Sequence, residues 1–79
     1  MRIATISIFI NNENSVKKVN EIIHEYRNLC IGRFGLPNIE DNLNIITLVV
    51  KGPQDEISAM SGKLGNIDGV KSQTTYSKN

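Results

Sequence analysis

Residues 44–53 read Asn-Ile-Ile-Thr-Leu-Val-Val-Lys-Gly-Pro and form the most regular stretch of this chain of 79 residues. Apolar and β-branched residues alternate along it, which is typical of a β-strand. One side carries Ile46, Leu48 and Val50, and the other carries Ile45, Thr47 and Val49. Gly52 ends the pattern, and Pro53 is predicted to be the first residue of a helix, where its missing N–H has no cost. The stretch therefore predicts a strand that leads directly into a helix.

The helix that follows Pro53 is predicted from an apolar stripe at helical spacing. The stripe consists of Ile57, Met60 and Leu64. Gly65 is predicted to end the helix, residues 67–69 to form a turn, and residues 70–76 to form a last strand. Inside the helix, Gly62 costs about 1 kcal/mol relative to alanine. We interpret this glycine as the site of a close helix–helix or helix–sheet approach, and a ligand that approaches the backbone is the alternative.

The first half of the chain shows the same order of strand and helix. Residues 2–10 alternate as a strand, and an apolar stripe then predicts an amphipathic helix of about three to four turns. That stripe consists of Val16, Val19, Ile23 and Tyr26. The polar loop at 11–15 between the two elements offers N-cap side chains, and Asn12 and Asn14 are both candidates for the cap.

A less regular segment separates this helix from the strand at 44–51. Residues 29–34 predict a second strand, which is short because Gly35-Leu36-Pro37 interrupts it, and residues 38–42 predict a polar turn. The resulting order is β-α-β-β-α-β. Both helical stripes are buried most simply when two helices pack on one face of a four-stranded antiparallel sheet. The sequence therefore predicts a single α+β domain, residues 1–79, with a ferredoxin-like fold.

The second face of this sheet is predicted to be bare. On its two best strands it carries Ile3, Thr5, Ser7, Phe9, Ile45, Thr47 and Val49. Soluble monomers rarely expose a contiguous apolar patch of this kind. We therefore predict a homo-oligomer, a dimer or a tetramer, with Ile3, Phe9, Ile45, Thr47 and Val49 in the interface. The alternative is that loops or side chains from the last strand cover this face.

Composition argues against several classes of protein. The net charge is +1 and no run of basic residues occurs, so direct binding to nucleic acid is not expected. No apolar stretch approaches the ~20 residues that a membrane helix needs, and the first residues do not resemble a signal peptide. The single cysteine cannot form an internal disulfide, which favours the reducing cytoplasm.

Four segments resemble one known family over nearly the whole chain. They are Val-Asn-Glu-Ile-Ile-His at 19–24, Ile-Gly-Arg-Phe-Gly-Leu-Pro at 31–37, Leu-Val-Val at 48–50, and Ser-Gly-Lys-Leu-Gly-Asn-Ile-Asp-Gly-Val at 61–70. They resemble the small ACT-like proteins called iron-only hydrogenase system regulators. The resemblance implies a ferredoxin-like fold related to ACT domains and to the ligand-binding half of nickel-responsive repressors. It also implies oligomers, and it carries over no particular reaction or ligand.

Metal binding and catalysis find little support in the residues. His24 and Cys30 are the only histidine and cysteine, whereas stable sites for soft or borderline ions need three or four converging ligands. Two copies of the chain could join two His and two Cys across an interface, so a metal sensor stays an alternative. No nucleophile–base spacing and no phosphate loop occurs. We predict that the chain binds no metal and no cofactor and that it is not an enzyme.

Two features suggest a site for a small anionic ligand. Asn11 and Asn12 lie in the loop before the first helix, where free N–H groups favour anions. In ACT domains, which the chain resembles, this loop commonly lines the effector site, although many amino-acid-binding members have a glycine there and this chain has asparagine. Arg33, flanked by Gly32 and Gly35 in the second strand, could hold a carboxylate in bidentate fashion. The alternatives are ordinary helix capping for the loop and a solvated edge-strand charge for Arg33.

The predicted function is thus a small cytoplasmic regulatory or ligand-sensing module that acts as an oligomer. The resemblance links it to the iron-only hydrogenase system. Its partners would be other copies of the chain and either a small anionic effector or a protein. One alternative is a structural oligomerisation or protein-interaction domain without a ligand, and another is a metal sensor.

Overall fold

The computed structural model of the protein describes residues 1–78, and its elements follow the predicted β-α-β-β-α-β order. The strands are β1 (Arg2–Ile10), β2 (Cys30–Glu40), β3 (Leu43–Gly52) and β4 (Val70–Tyr76), and the helices are α1 (Val16–Glu25) and α2 (Gln54–Gly65). Short 3₁₀ turns at Glu13–Ser15 and Arg27–Leu29 flank α1. The four strands form one antiparallel sheet in the order β2-β3-β1-β4. The predicted α+β, ferredoxin-like and ACT-like fold is confirmed.

The core lies between the sheet and the two helices. Alternate residues of the two central strands are fully buried, and Ile6 of β1 stands opposite Leu48 of β3 in the register. The helices contribute Val19, Ile23, Ile57, Met60 and Leu64 to the same core. Each such side chain contributes about 1.5–3 kcal/mol when it is fully buried. The alternation predicted for residues 2–10 and 44–51 therefore assigned the correct residues to the helix side of the sheet.

The contact between α2 and β4 is made through hydroxyl groups. The Ser61 and Ser72 hydroxyls lie 2.9 Å apart, and the Thr74 hydroxyl donates to Ser61 Oγ at 2.7 Å. Ser72 Oγ also donates to the backbone oxygen of Ser61 at 3.2 Å. These bonds satisfy polar groups that would otherwise be half-buried without partners. They explain how a strand with so many polar residues packs on the helix layer.

The second strand is longer than the sequence predicted. The prediction that Gly35-Leu36-Pro37 interrupts it is wrong, because β2 continues through these residues to Glu40. Proline is tolerated here because β2 is an edge strand, where an N–H facing away from the sheet needs no partner. The pairing becomes irregular between Leu36 and Glu40. The Asn44 side chain compensates there, since its Oδ1 accepts a hydrogen bond from the Asn38 N–H at 2.8 Å.

The turn between β2 and β3 is confined to Asp41 and Asn42 rather than spread over residues 38–42. Both residues have positive φ, 42° and 66°. A two-residue loop with two left-handed residues is the hairpin connection whose twist matches that of antiparallel strands, and Asp and Asn tolerate it well.

The structure tests four predictions about helix ends and glycines. Pro53 precedes α2 in extended conformation and Gln54 is the first helical residue, so the predicted start was one residue early. Gly65 ends α2 as predicted. Asn12 is the capping asparagine, but it caps the 3₁₀ turn before α1 by accepting from the Asn14 N–H at 3.0 Å. The close approach predicted at Gly62 is wrong, because nothing lies within 4 Å of a Cβ placed there.

Candidate functional site

A groove separates α1 from the β2–β3 hairpin, and we call it the α1–β2 groove. Its volume is about 260 Å³. Six apolar residues line it, namely Ile10, Val16, Leu36, Pro37, Ile45 and Ile46. The remaining lining residues are Asn20, Arg33, Gly35 and Asn44. A mostly apolar concave surface with a few convergent polar groups is the usual form of a small-molecule site.

Arg33 supplies the charge of this groove. It pairs with the buried Leu48 in the β2–β3 register, which places it on the helix side of the sheet. Its Nη2 donates a hydrogen bond to Oδ1 of Asn20, on α1, at 2.7 Å. Within residues 1–78 the ion pairs do not include Arg33, so its described partner is a neutral amide. Its charge is therefore not neutralised by an ion pair with the described residues, and it lies at the edge of an apolar cleft.

Gly35 lies beside Arg33 on the same side of the sheet, paired with Ile46. A Cβ at this position would lie 3.8 Å from the Ile45 backbone oxygen and 3.9 Å from Ile46 Cγ1, which are ordinary contacts. Packing therefore does not require glycine here. The missing side chain leaves room in the α1–β2 groove.

The other two predicted ligand residues occupy a different place. The Asn11 N–H donates to the Gly69 backbone oxygen at 2.7 Å, and a Cβ on Gly69 would lie 2.7 Å from Asn12 Cβ. Close by, the buried Ser15 donates its hydroxyl hydrogen to the Asp68 backbone oxygen at 2.6 Å. The loop after β1 is thus joined to the turn before β4. The structure brings Arg33 and Gly35 together and places Asn11 and Asn12 outside the groove.

The sheet face opposite the helices is uncovered within residues 1–78, and we call it the bare face. Ile3 and Phe9 are exposed on β1, and Ile45, Thr47 and Val49 are half-buried on β3. The register adds two residues of β2 that the sequence analysis did not assign to this face. They are Phe34, opposite Thr47 and 62 % exposed, and Leu36, opposite Ile45. The sequence signal for these two residues is their spacing of two, which is typical of one face of a strand. The predicted strand ended at Phe34 and therefore did not include Leu36.

The two candidate metal ligands take no part in a larger cluster. His24 is exposed on α1, whereas Cys30 is half-buried at the start of β2, with its thiol 3.8 Å from the Tyr26 backbone oxygen. Burial raises the pKa of the Cys30 thiol, and the nearby Arg33 guanidinium partly opposes the rise. Among the described residues, no three His, Cys, Asp or Glu side chains come together in a way that could hold a metal ion.

The family of the chain follows from comparison with known sequences. Residues 2–74 match the family model described as "TM1266-like: Iron-only hydrogenase system regulator, putative". The chain belongs to the TM1266-like family. The same relationship appears in three dimensions, because the structure of the uncharacterized protein TM1266 from Thermotoga maritima is 38% identical in sequence. The two superpose with a TM-score of 0.91 over 98% of each chain. The resemblance noted from the sequence is confirmed.

More distant structures share the fold of this TM1266-like chain. The C-terminal domain of the MgtC protein from Mycobacterium tuberculosis superposes with a TM-score of 0.68, at 13% identity, over 100% of this chain and 90% of that domain. A formyltetrahydrofolate deformylase from Pseudomonas putida KT2440 superposes with a TM-score of 0.65, at 10% identity. The match covers 92% of this chain but only 28% of the deformylase. At these identities the likeness shows the fold alone. No curated protein matches the sequence.

Neither helix of residues 1–78 in this TM1266-like chain has the length and apolar character needed to cross a membrane.

Proposed function

We propose that this chain is a regulatory module without catalytic activity that works in the cytoplasm as a homo-oligomer, with the bare face as the contact between two copies. The observation that carries the proposal is the exposure of apolar side chains across three neighbouring strands, including Phe9 and Phe34. The family description supports a regulatory role in the iron-only hydrogenase system. Burial of this surface would also stabilise a chain whose own core is small.

A second copy of the chain is the occupant that the charge pattern favours. In a two-fold interface the same surface meets itself, so like charges near the axis would repel. The middle of the bare face carries no charge, because its residues are aliphatic, aromatic or hydroxylated. Its two lysines lie at the border, since Lys51 pairs with Ile3 at the end of the face and Lys71 pairs with Phe9 on the edge strand β4. This arrangement suits self-association.

The size of the bare face is consistent with a dimer interface. Strands about 4.8 Å apart that advance about 3.4 Å per residue give it an area of about 500 Å², before the relief of the side chains is counted. Two copies would together bury about 1,000 Å² or more, which reaches the lower bound for a specific interface.

A sensing role is supported by the fact that the α1–β2 groove and the bare face share one strand. Along β2, Arg33 and Gly35 line the groove and Phe34 belongs to the bare face, while Leu36 borders both surfaces. A ligand that fixed the conformation of β2 would therefore affect both the groove and the bare face. We propose that the module binds a small anionic effector through Arg33 and Gly35. A purely structural association domain without a ligand is the second candidate, and it rests on the bare face alone.

The experiment compares two aspartate variants on opposite surfaces. Phe34→Asp places a charge in the bare face, and Ala59→Asp places the same charge on the exposed surface of α2. Because Phe34 is exposed in the isolated chain, its replacement should not prevent folding, which circular dichroism checks. We expect light scattering to give a reduced mass for Phe34→Asp and the wild-type oligomeric mass for Ala59→Asp. An unchanged mass for folded Phe34→Asp would contradict the proposed interface.

A further inference from the structure

We propose that the α1–β2 groove is a binding site for a small monocarboxylate with an apolar body. The inference names the class of effector, and its regulatory meaning rests on the proposed function. The charged part of the site does not depend on self-association, because Arg33 and Gly35 lie on the helix side of the sheet, and only Leu36 and Ile45 of the lining also belong to the bare face.

The charge of the groove selects an anion. Among residues 1–78, Arg33 is the only charged residue that lines the groove. The guanidinium has five N–H donors, and the hydrogen bond to Asn20 uses one of them. A carboxylate fits the geometry of the remaining donors and can accept two parallel hydrogen bonds. A cationic ligand would be repelled, and a neutral one would leave the charge of Arg33 unused.

The single cation also argues for one negative charge on the ligand. Sites for phosphate groups usually combine several positive or backbone N–H groups, since a phosphate carries close to two charges. The α1–β2 groove offers one guanidinium, with Asn20 and Asn44 as its other polar side chains. A monocarboxylate balances this charge.

The walls and volume set the size and polarity of the rest of the ligand. Six of the ten lining residues are apolar, so an apolar body would be buried favourably against them. The volume of about 260 Å³ equals that of roughly eight or nine molecules of liquid water. This suits a ligand of about ten non-hydrogen atoms and is too small to enclose a whole nucleotide.

The polar groups of the site are held in place before a ligand arrives. The Asn44 side chain accepts from the Asn38 N–H at 2.8 Å and donates to the Asn42 backbone oxygen at 3.3 Å. Arg33 is held against α1 by its bond to Asn20. Preorganisation of this kind lowers the entropic cost of binding.

Benzoate and benzamide form a matched pair of probes, because they share an apolar ring and differ in charge. We expect benzoate to shift the backbone NMR signals of Asn20, Arg33 and Gly35 in the full chain, with a Kd of about 1 mM, as befits so small a ligand. Benzamide should bind at least about tenfold more weakly, since it lacks the charge-assisted hydrogen bond. Arg33→Met should weaken benzoate binding by a similar factor and abolish the preference for benzoate over benzamide.

A glycine pair tests the place of the site without changing its charge. Gly35→Val fills the groove from a position where packing tolerates a side chain, and it should weaken benzoate binding. Gly62→Ala, in the middle of α2 with open space around its Cβ, should bind benzoate as the wild type does. Equal binding of benzoate and benzamide, full affinity in folded Arg33→Met, or no shift at the groove up to about 10 mM would each overturn the inference.

The mass of the same samples separates this inference from the proposed function. A monomeric chain that binds benzoate at Arg33 would contradict the proposed oligomer and leave the carboxylate site standing. An oligomer whose groove binds no carboxylate would contradict the site alone.

Discussion

The guanidinium of Arg33 reaches across from the edge strand β2 to α1, where its Nη2 donates to Oδ1 of Asn20 at 2.7 Å. This hydrogen bond joins the two elements on either side of the α1–β2 groove, which is lined mostly by apolar residues. Because its acceptor is neutral, the bond leaves the positive charge of Arg33 uncompensated by a neighbouring carboxylate in residues 1–78. The same charge acts on Cys30, at the beginning of β2.

The reactivity of Cys30 is expected to report on Arg33. Burial raises the pKa of this thiol, and Arg33 lowers it in part. Loss of the guanidinium in Arg33→Met should raise the pKa further and reduce the thiolate fraction, so alkylation by iodoacetamide near pH 8 should slow. Arg27→Met is the control, because Arg27 bonds to the His24 backbone oxygen and does not act on the thiol pKa. Faster alkylation in Arg33→Met than in the control would contradict the prediction.

The raised pKa of Cys30 also predicts how stability depends on pH. The folded state favours the neutral thiol, so this contribution to stability is complete below the pKa of the unfolded thiol. It is lost as the pH rises through the pKa of the folded thiol. Cys30→Ser should lose less stability than the wild type over that alkaline range, as measured by urea unfolding at a series of pH values. The same loss in both proteins would contradict the assignment.

Gly62→Ala should stabilise the protein. The glycine lies within α2, and a Cβ there meets nothing within 4 Å. Alanine gains about 1 kcal/mol over glycine in a helix interior. Chemical unfolding should therefore show a higher midpoint with an unchanged slope. A lower midpoint would mean that a contact beyond the isolated chain needs the glycine.

Gly69→Ala should have the opposite effect. Gly69 has a φ of 74°, and a Cβ on it would lie 2.7 Å from Asn12 Cβ. The left-handed conformation alone costs alanine about 1–2 kcal/mol, and the contact with Asn12 adds to that cost. Urea unfolding should show a clear loss of stability, with Gly62→Ala as the matched substitution at an unstrained position. Wild-type stability in Gly69→Ala would contradict the close packing of the two loops.

The sequence predicted the central strands better than the edge. In β1 and β3 one side had to be wholly apolar to meet the helices, so the alternation assigned Ile6 and Leu48 to the core correctly. The edge strand β2 lacks such a constraint, because most of its residues are exposed whichever way they point. Glycine and proline in such a strand therefore predict a break, whereas the edge position and the side chain of Asn44 allow the strand to continue.

The difference between the central strands and the edge strand also explains which residues of the candidate site the sequence did not predict. Arg33 and Gly35 stood out in the sequence as a charge and a glycine close together, and the structure places both in the groove. Asn20 and Asn44 could not be joined to them from the sequence, because their proximity depends on the length of β2 and on where α1 crosses the sheet. Asn11 and Asn12 are predicted from their place before the first helix and from the resemblance to ACT domains, and in the structure they bond or pack with the neighbouring turn.

The mass of the wild-type chain in solution is the most direct test of self-association through the bare face. Gel filtration with light scattering should be run over about 10–100 µM, since the population of an oligomer depends on concentration. The proposed interface predicts a mass of at least twice 8.8 kDa throughout the upper part of that range. A mass near 8.8 kDa at every concentration would contradict it.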